Sequence, residues 1–351
     1  MLRRSPSDAA AVFLCVLIAF AATVVGLRTG WHPADADEIV YRDTLVFMRH
    51  GANVYQAERR ALIIKEHQPP TSVRAIRPPT LFLVLRWFPP GSWRWLVGIV
   101  YLADLLAVWR LARAHGPPAG LLAVAFAGVW ILGFSSYLFL HAEVWGLPFF
   151  LGGLLCLRRD RPWAAASLFL VASCIRELYV VGLVGGSLLV VAPLLAGAGW
   201  SGIAPKLRPW ATATLAAIAL FGVHAALAES VLSSHGYNAR FGNEHRTVAF
   251  LLRLVAPLSS GVGEFLGVAL VVLGVVGGLR VLRADRAAAV AVCGAAFLLA
   301  ASIWATRVYW SACWAVPLAA YAPVAILGSR DERSAASPSR TASHTPVITR
   351  P

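Results

Sequence analysis

The chain has 351 residues, 58% of them hydrophobic and 14% charged, with a mean hydropathy of +0.68. A water-soluble domain of this size does not tolerate such a surface, so the composition points to lipid as the solvent. The net charge of +14 invites a nucleic-acid reading, but the arginines are spread over short connectors between apolar runs and form no single stripe, so they read as membrane-topology signals.

In chain order, Arg3 and Arg4 precede an apolar run at 9–27 that is long enough to span a bilayer and shows no small-residue cleavage site, so it reads as a retained first helix. Further apolar segments of spanning or near-spanning length follow at 92–113, 117–134, 140–157, 163–175, 178–196, 209–228, 262–281, 286–305 and 309–328. The fold class is therefore an all-α polytopic membrane protein of about ten transmembrane helices. The five cysteines lie in or beside apolar stretches without CxxC spacing, as packing thiols do.

With the amino terminus cytoplasmic, the inner connectors are Arg110 to His115, Arg158 to Arg161, Lys206 to Arg208 and Arg280 to Arg286, and each is basic, as the positive-inside rule requires. The same parity places two long polar loops, 28–91 and 229–261, outside. It makes 1–328 one transmembrane unit and returns 329–351, rich in Ser, Arg and Pro, to the cytoplasm as a disordered tail. Only Arg176-Glu177 separates 163–175 from 178–196. Either the chain reverses there, or one long broken helix inverts everything downstream; the basic connectors favour reversal.

The first outer loop carries two runs of helical composition, Glu38 to His50 and Tyr55 to His67, around the turn-like Gly51-Ala52-Asn53. Arg77-Pro78-Pro79 then leads into Leu81 to Phe88, an apolar run too short to span, suited to the interface or to a re-entrant half-helix. The second outer loop holds His235, Arg240, Asn243, Glu244, His245 and Arg246.

Three acids, Asp35, Asp37 and Glu38, fall within four residues just after the first helix. Asp35 suits a helix cap and Glu38 an i,i+4 pair with Arg42, which leaves Asp37 as the residue with chemistry to spare. A carboxylate at this interface suits removal of a proton from an alcohol that attacks a sugar carbon whose leaving group is a lipid phosphate. Phosphate leaves without an acid, so such a site needs one base and cations for the phosphodiester. The candidate cations are Arg77, Arg176, Arg240, His245, Arg246 and Arg307, each of which also suits interfacial snorkelling. Arg176 with Glu177 stands apart as a polar pair between two apolar runs. His141 and Glu143 open another outward-facing helix, and Asp104 lies midway along its own.

In order, Asp37-x-x-x-Tyr41, Gly51-Ala52-Asn53-Val54-Tyr55, Arg77-Pro78-Pro79 and Arg158-Arg159-Asp160-Arg161-Pro162-Trp163 with an apolar run ending at Arg176 resemble the GT-C superfamily of polyprenyl-phosphate-sugar-dependent glycosyltransferases. The similarity is greatest to family 87, the polyprenol-phosphate-mannose-dependent mannosyltransferases, and covers about the first 200 residues. It implies an inverting, nucleotide-independent transfer of a sugar, mannose or another hexose or pentose, to a glycolipid or polysaccharide hydroxyl on the outer face of the cell membrane. Asp37 is then the catalytic base. Asp35, Glu38, Tyr41, Arg77, His141, Glu143, Arg176, Glu177, His245, Arg246 and Arg307 are the expected donor- and substrate-binding residues. Family 87 commonly shows Gln-x-Asn and Lys where this chain has Glu143 and Arg176, and Asp37-Glu38-x-x-Tyr41 equally suits the related protein-mannosyl and aminoarabinose transferases. The expected partners are membrane lipids, the polyprenyl-phosphate-linked sugar and its acceptor, with no nucleic acid and no cofactor. A divalent metal on Asp35 and Asp37 is compatible with their oxygens, although arginine serves a phosphodiester equally well. The competing reading is a transporter or flippase of a lipid-linked or anionic substrate, for which internal repeats and midplane charges are the signature.

Overall fold

The computed structural model describes residues 6–28, 36–135, 140–195, 197, 199–236, 261–305 and 311–328, and every regular element among them is helical. Among the described residues, four helical stretches are long and apolar enough by themselves to cross a membrane: Pro6–Leu27, Pro90–Arg113, Glu177–Leu195 and Trp200–Glu229. Shorter apolar helices at Pro117–Gly133, Pro162–Ile175, Leu266–Val281, Arg286–Leu298 and Trp314–Leu327 pack with them.

Helix α1 (Pro6–Arg28) lies against α5 (Trp93–Arg113) and α6 (Pro117–Ser135). Close approach is possible because Gly98 of α5 faces Thr23 and Gly128 of α6 faces Ile18, where a Cβ would collide with either side chain. The most intimate pair is α7 (Ala142–Arg158) with α8 (Pro162–Ile175), and α8 also packs on α9 (Val180–Leu195) and α10 (Trp200–Glu229). Phe150, Phe169 and Trp210 join α7, α8 and α10 through ring contacts with centroid separations of 5.2 and 6.2 Å. The bundle is completed by α11 (Gly261–Val281), α12 (Arg286–Ala305), α13 (Ser311–Ala319) and α14 (Ala322–Leu327).

The expected break at Arg176-Glu177 is a reversal. Helix α8 stops at Ile175, Arg176 is extended, and one 3₁₀ turn at Glu177–Tyr179 starts α9. A Cβ on Gly182, early in α9, would lie 2.5 Å from the Phe169 ring in the middle of α8. Those two residues sit side by side only if the chain has doubled back. Two expectations need correction. Lys206 and Arg208 are not a connector, because α10 already begins at Trp200 and runs through them, carrying Pro205 and Pro209 inside the helix. The segment expected as one helix at 309–328 is α13 and α14, parted at Ala320-Tyr321, because Pro323 has no N–H to continue the helical ladder.

The polar segment between α1 and α5 holds α2 (Ala36–Arg49) and α3 (Val54–Glu66), as its composition suggests. Gly51 takes the positive φ of +91° that the turn requires, and Asn53 caps α3 by accepting the Gln56 N–H at 2.9 Å. The Leu81–Phe88 run forms only the short helix α4 (Thr80–Leu85), with Leu81, Phe82 and Leu85 buried and Trp87 exposed. Its end is pinned by the Trp93 indole N–H, which donates to the carbonyls of Leu85 and Phe88.

Charged residues gather at two opposite ends of the bundle. At the end of the short connectors, Arg113 pairs with Asp8 at 2.5 Å, and Arg158 meets Asp285 while also donating to the Leu111 carbonyl. Asp285 caps α12 by accepting the N–H groups of Ala287 and Ala288. Burial alone would raise its carboxyl; the hydrogen bonds and charges of His115 and Arg158 outweigh this and hold it at about 2.

Candidate functional site: a buried carboxylate–guanidinium cluster

The other end is built where α2, α3 and the 73–77 segment meet the starts of α5, α7 and α9 and the last turns of α8 and α10. Because Arg176 is extended at the end of α8, its side chain leaves the helix axis and enters the space beside the first turn of α7. There its Nε lies 2.7 Å from Glu143 Oε1 and a terminal nitrogen 2.6 Å from Glu177 Oε1. Arg176 is 0% exposed and Glu143 1%, whereas the Glu177 side chain is 44% exposed. Burial alone would weaken the hold of Arg176 on its proton, and the carboxylates of Glu143 and Glu177 more than offset that, so it is a fixed cation.

The partners of this pair are held from several sides. The Tyr179 hydroxyl donates to the Glu143 backbone carbonyl at 2.5 Å, and its ring fills the space left by the missing Cβ of Gly146 while resting on Phe150 at 5.3 Å. His141 Nδ1 lies 3.8 Å from the second oxygen of Glu143. The His141 ring meets that of Tyr41, with centroids 5.7 Å apart, and Tyr41 in turn packs on Phe82. Helix α2 is thereby docked on α4 and on the start of α7. Arg77 donates its backbone N–H to Glu58 Oε1 at 2.8 Å, is half-buried, and is near enough for its charge to act on both Glu143 and Arg176.

Six of the residues singled out in the sequence, Tyr41, Arg77, His141, Glu143, Arg176 and Glu177, therefore meet in one place. Glu38 is buried on α2, within reach of the charge of Arg94, which itself ties down the end of α1 by donating to the Leu27 carbonyl at 3.1 Å. Asp37 belongs to α2 one turn before Tyr41, and its side chain lies outside the described residues, as do Asp35, Arg240, Asn243, Glu244, His245, Arg246 and Arg307 entirely. Among the described residues, no three His, Cys, Asp or Glu side chains converge as a metal group would require. Asp104 is apart from this cluster, fully buried in α5 with neither oxygen hydrogen-bonded among the described residues.

Family models, curated proteins and solved structures yield no match to this chain.

Two residues of the cluster escaped sequence reasoning. Glu58 lies on the buried stripe of α3 with Val54, Ala57, Ala61 and Leu62; an acid at an apolar helical position was the available signal. His224 is the lone histidine of the apolar run at 209–228, and its ring stacks on Tyr55 with centroids 5.8 Å apart while Nδ1 lies 3.3 Å from the Tyr55 hydroxyl. The charge of Glu177 also reaches His224. Burial, and then the charge of Glu58, raises the Tyr55 phenol above its usual value, so at neutral pH it is a hydrogen-bond donor.

Proposed function

We propose that the protein is an inverting glycosyltransferase that moves a sugar from a polyprenyl-phosphate donor to a lipid- or polysaccharide-linked hydroxyl at the membrane surface, on a scaffold of about ten transmembrane helices like that of the GT-C enzymes. The observation that carries this reading is the buried Arg176–Glu143 pair beneath the helices of the first outer loop, with Arg77 at its edge. A fully buried charge pair in an apolar bundle is costly to keep unless the site uses it.

In this reading the acceptor oxygen attacks the anomeric carbon from the face opposite the phosphate. The carbon–oxygen bond to phosphate breaks with its electron pair leaving on the phosphate, and the hydroxyl proton passes to the Asp37 carboxylate. Arg176 already has two carboxylates on it, so it acts as a positioning residue. Arg77, half-buried and near enough for its charge to act on both Glu143 and Arg176, is the cation we assign to the phosphodiester.

The test is transfer from a short-chain polyprenyl-phosphate sugar in reconstituted membranes. Wild type should transfer, Asp37→Asn should lose the reaction by at least about 100-fold, as removal of a general base does, and Arg77→Ala should raise the donor KM. Full activity in Asp37→Asn refutes the base. A second reading, a transporter or flippase, draws on Asp104, a buried acid without a hydrogen bond among the described residues. It predicts proton- or ion-coupled movement of lipid across vesicles that is lost in Asp104→Asn and insensitive to Asp37→Asn.

A further inference from the structure

Beside the Arg176–Glu143 pair lies a second group of polar side chains: Glu177 at the start of the 3₁₀ turn, His224 near the end of α10, and Tyr55 in the first turn of α3. All three are half-buried. Glu177 commits one oxygen to Arg176, whereas its other oxygen has no hydrogen-bond partner among the described residues. The imidazole and phenol rings stack and share a hydrogen bond between the Tyr55 hydroxyl and Nδ1. An imidazole engaged in this way keeps its place, and with it the Tyr55 ring, at low conformational cost.

This combination is what a pyranose requires. A carboxylate oxygen with lone pairs to spare accepts hydroxyls, and a rigid aromatic face meets the C–H face of the ring. A phosphate would instead be repelled by Glu177. Arg77 directly follows Ile76, whose backbone engages His224, so the cation proposed for the phosphate adjoins the hydroxyl-accepting group.

We infer that Glu177, with the stacked pair His224 and Tyr55, forms the subsite that recognises the hydroxyls of the transferred sugar ring and sets which sugar is accepted. This rests on the glycosyltransferase reading, and it deepens that reading by separating the group that reads the sugar from the groups that hold the phosphate. An unpaired carboxylate oxygen is the discriminating element, because losing one good hydroxyl hydrogen bond to a charged group costs about 1.5–3 kcal/mol, roughly a factor of ten or more in preference.

The experiment compares a panel of polyprenyl-phosphate sugars differing in the configuration of single hydroxyls, together with the sugar-free polyprenyl phosphate, on wild type, Glu177→Gln and His224→Phe in reconstituted membranes. Both transfer and lipid binding by tryptophan quenching are measured. Wild type should prefer one configuration, and Glu177→Gln should lessen that preference about tenfold through KM with kcat largely kept. His224→Phe should lessen it less, since the stack survives. Affinity for the sugar-free lipid should not change. Unaltered sugar preference in Glu177→Gln overturns the subsite, and so does an equal loss of affinity for the sugar-free lipid. If wild type transfers no sugar, the glycosyltransferase reading fails and binding alone judges the subsite: equal affinity for sugar-bearing and sugar-free lipid overturns it.

Discussion

Glu143→Gln isolates the charge of the buried pair, because glutamine keeps the volume and one carbonyl acceptor. In wild type the Arg176 guanidinium is 0% exposed and has carboxylates at 2.7 and 2.6 Å. With charge centres about 4 Å apart and an effective dielectric near 20, the Glu143 interaction is worth about 4 kcal/mol. This falls within the roughly 3–5 kcal/mol expected for breaking one side of a buried pair. Glu177→Gln removes the other carboxylate, but that side chain is 44% exposed and water screens it, so its loss should cost about 1 kcal/mol or less. The double variant Glu143→Gln/Arg176→Met removes both buried charges together and should recover much of what Glu143→Gln loses. Thermal unfolding in detergent, followed by circular dichroism, gives the order: wild type, then Glu177→Gln, then the double variant, with Glu143→Gln least stable. Equal costs for Glu143→Gln and Glu177→Gln, or no recovery in the double variant, would refute the claim that a buried, mutually dependent charge pair organises this end of the bundle.

Gly146→Val places a side chain where the Tyr179 ring lies. It should cost about 1–3 kcal/mol in the same melts and lower activity through the displaced Glu143, whereas Gly152→Ala on the same helix, with only Leu168 at 3.3 Å, should do little to either. Asp285 tests the opposite end by pH. Its folded-state value of about 2 lies below the unfolded value near 3.9, so its stabilising contribution is complete above about pH 4 and is lost as pH falls toward 2. The shift corresponds to about 2–3 kcal/mol, and Asp285→Asn should abolish that part of the acid sensitivity between pH 4 and 2, read from unfolding midpoints across that range.

Much of this architecture was legible because a membrane simplifies the code. Long apolar runs in a membrane can only be helices, and the helical stretches between α1 and α5 followed from composition and from the Gly51-Ala52-Asn53 turn. The clustering of Tyr41, Arg77, His141, Glu143 and Arg176 was legible only through side parity. The partners were not, because pairing across helices depends on rotation about each axis, which hydropathy does not encode. Glu58 was not legible because composition marks a helix without saying which of its faces is buried, and His224 because a single histidine in an apolar run looks like packing. The early start of α10 was missed because the basic stretch Lys206 to Arg208 read as an inner connector. In the structure Pro205 and Pro209 sit inside a continuous helix, so basic charge and proline together did not end it. The division of the last segment had its signal in Pro317 and Pro323, which composition over a window averages away.

The reversal at Arg176 and the proposed site have a common cause. From Pro162 to Leu195 the sequence carries no charged residue except Arg176-Glu177, and as one helix it would extend roughly 50 Å, far beyond the roughly 30 Å of a hydrocarbon core. The polar pair makes it unfavourable to place the middle of this run in lipid, so the chain turns there, and the turn delivers a guanidinium to the first turn of α7. Arg176→Leu/Glu177→Leu should therefore change topology as well as activity. In a background with the native cysteines replaced, single cysteines at Arg161 and Gly199 flank α8 and α9, and an impermeant maleimide should label both from one side of the membrane in the parent protein. In the double leucine variant the run loses the polar pair that fixes its turn and is free to cross once, tilted and with its excess length in the interfaces, which moves position 199 to the side opposite 161. Same-side labelling in both proteins would mean that the neighbours of α8 and α9, Phe169 against Gly182 and Trp210 against Gly186 among them, impose the reversal without help from the charged pair.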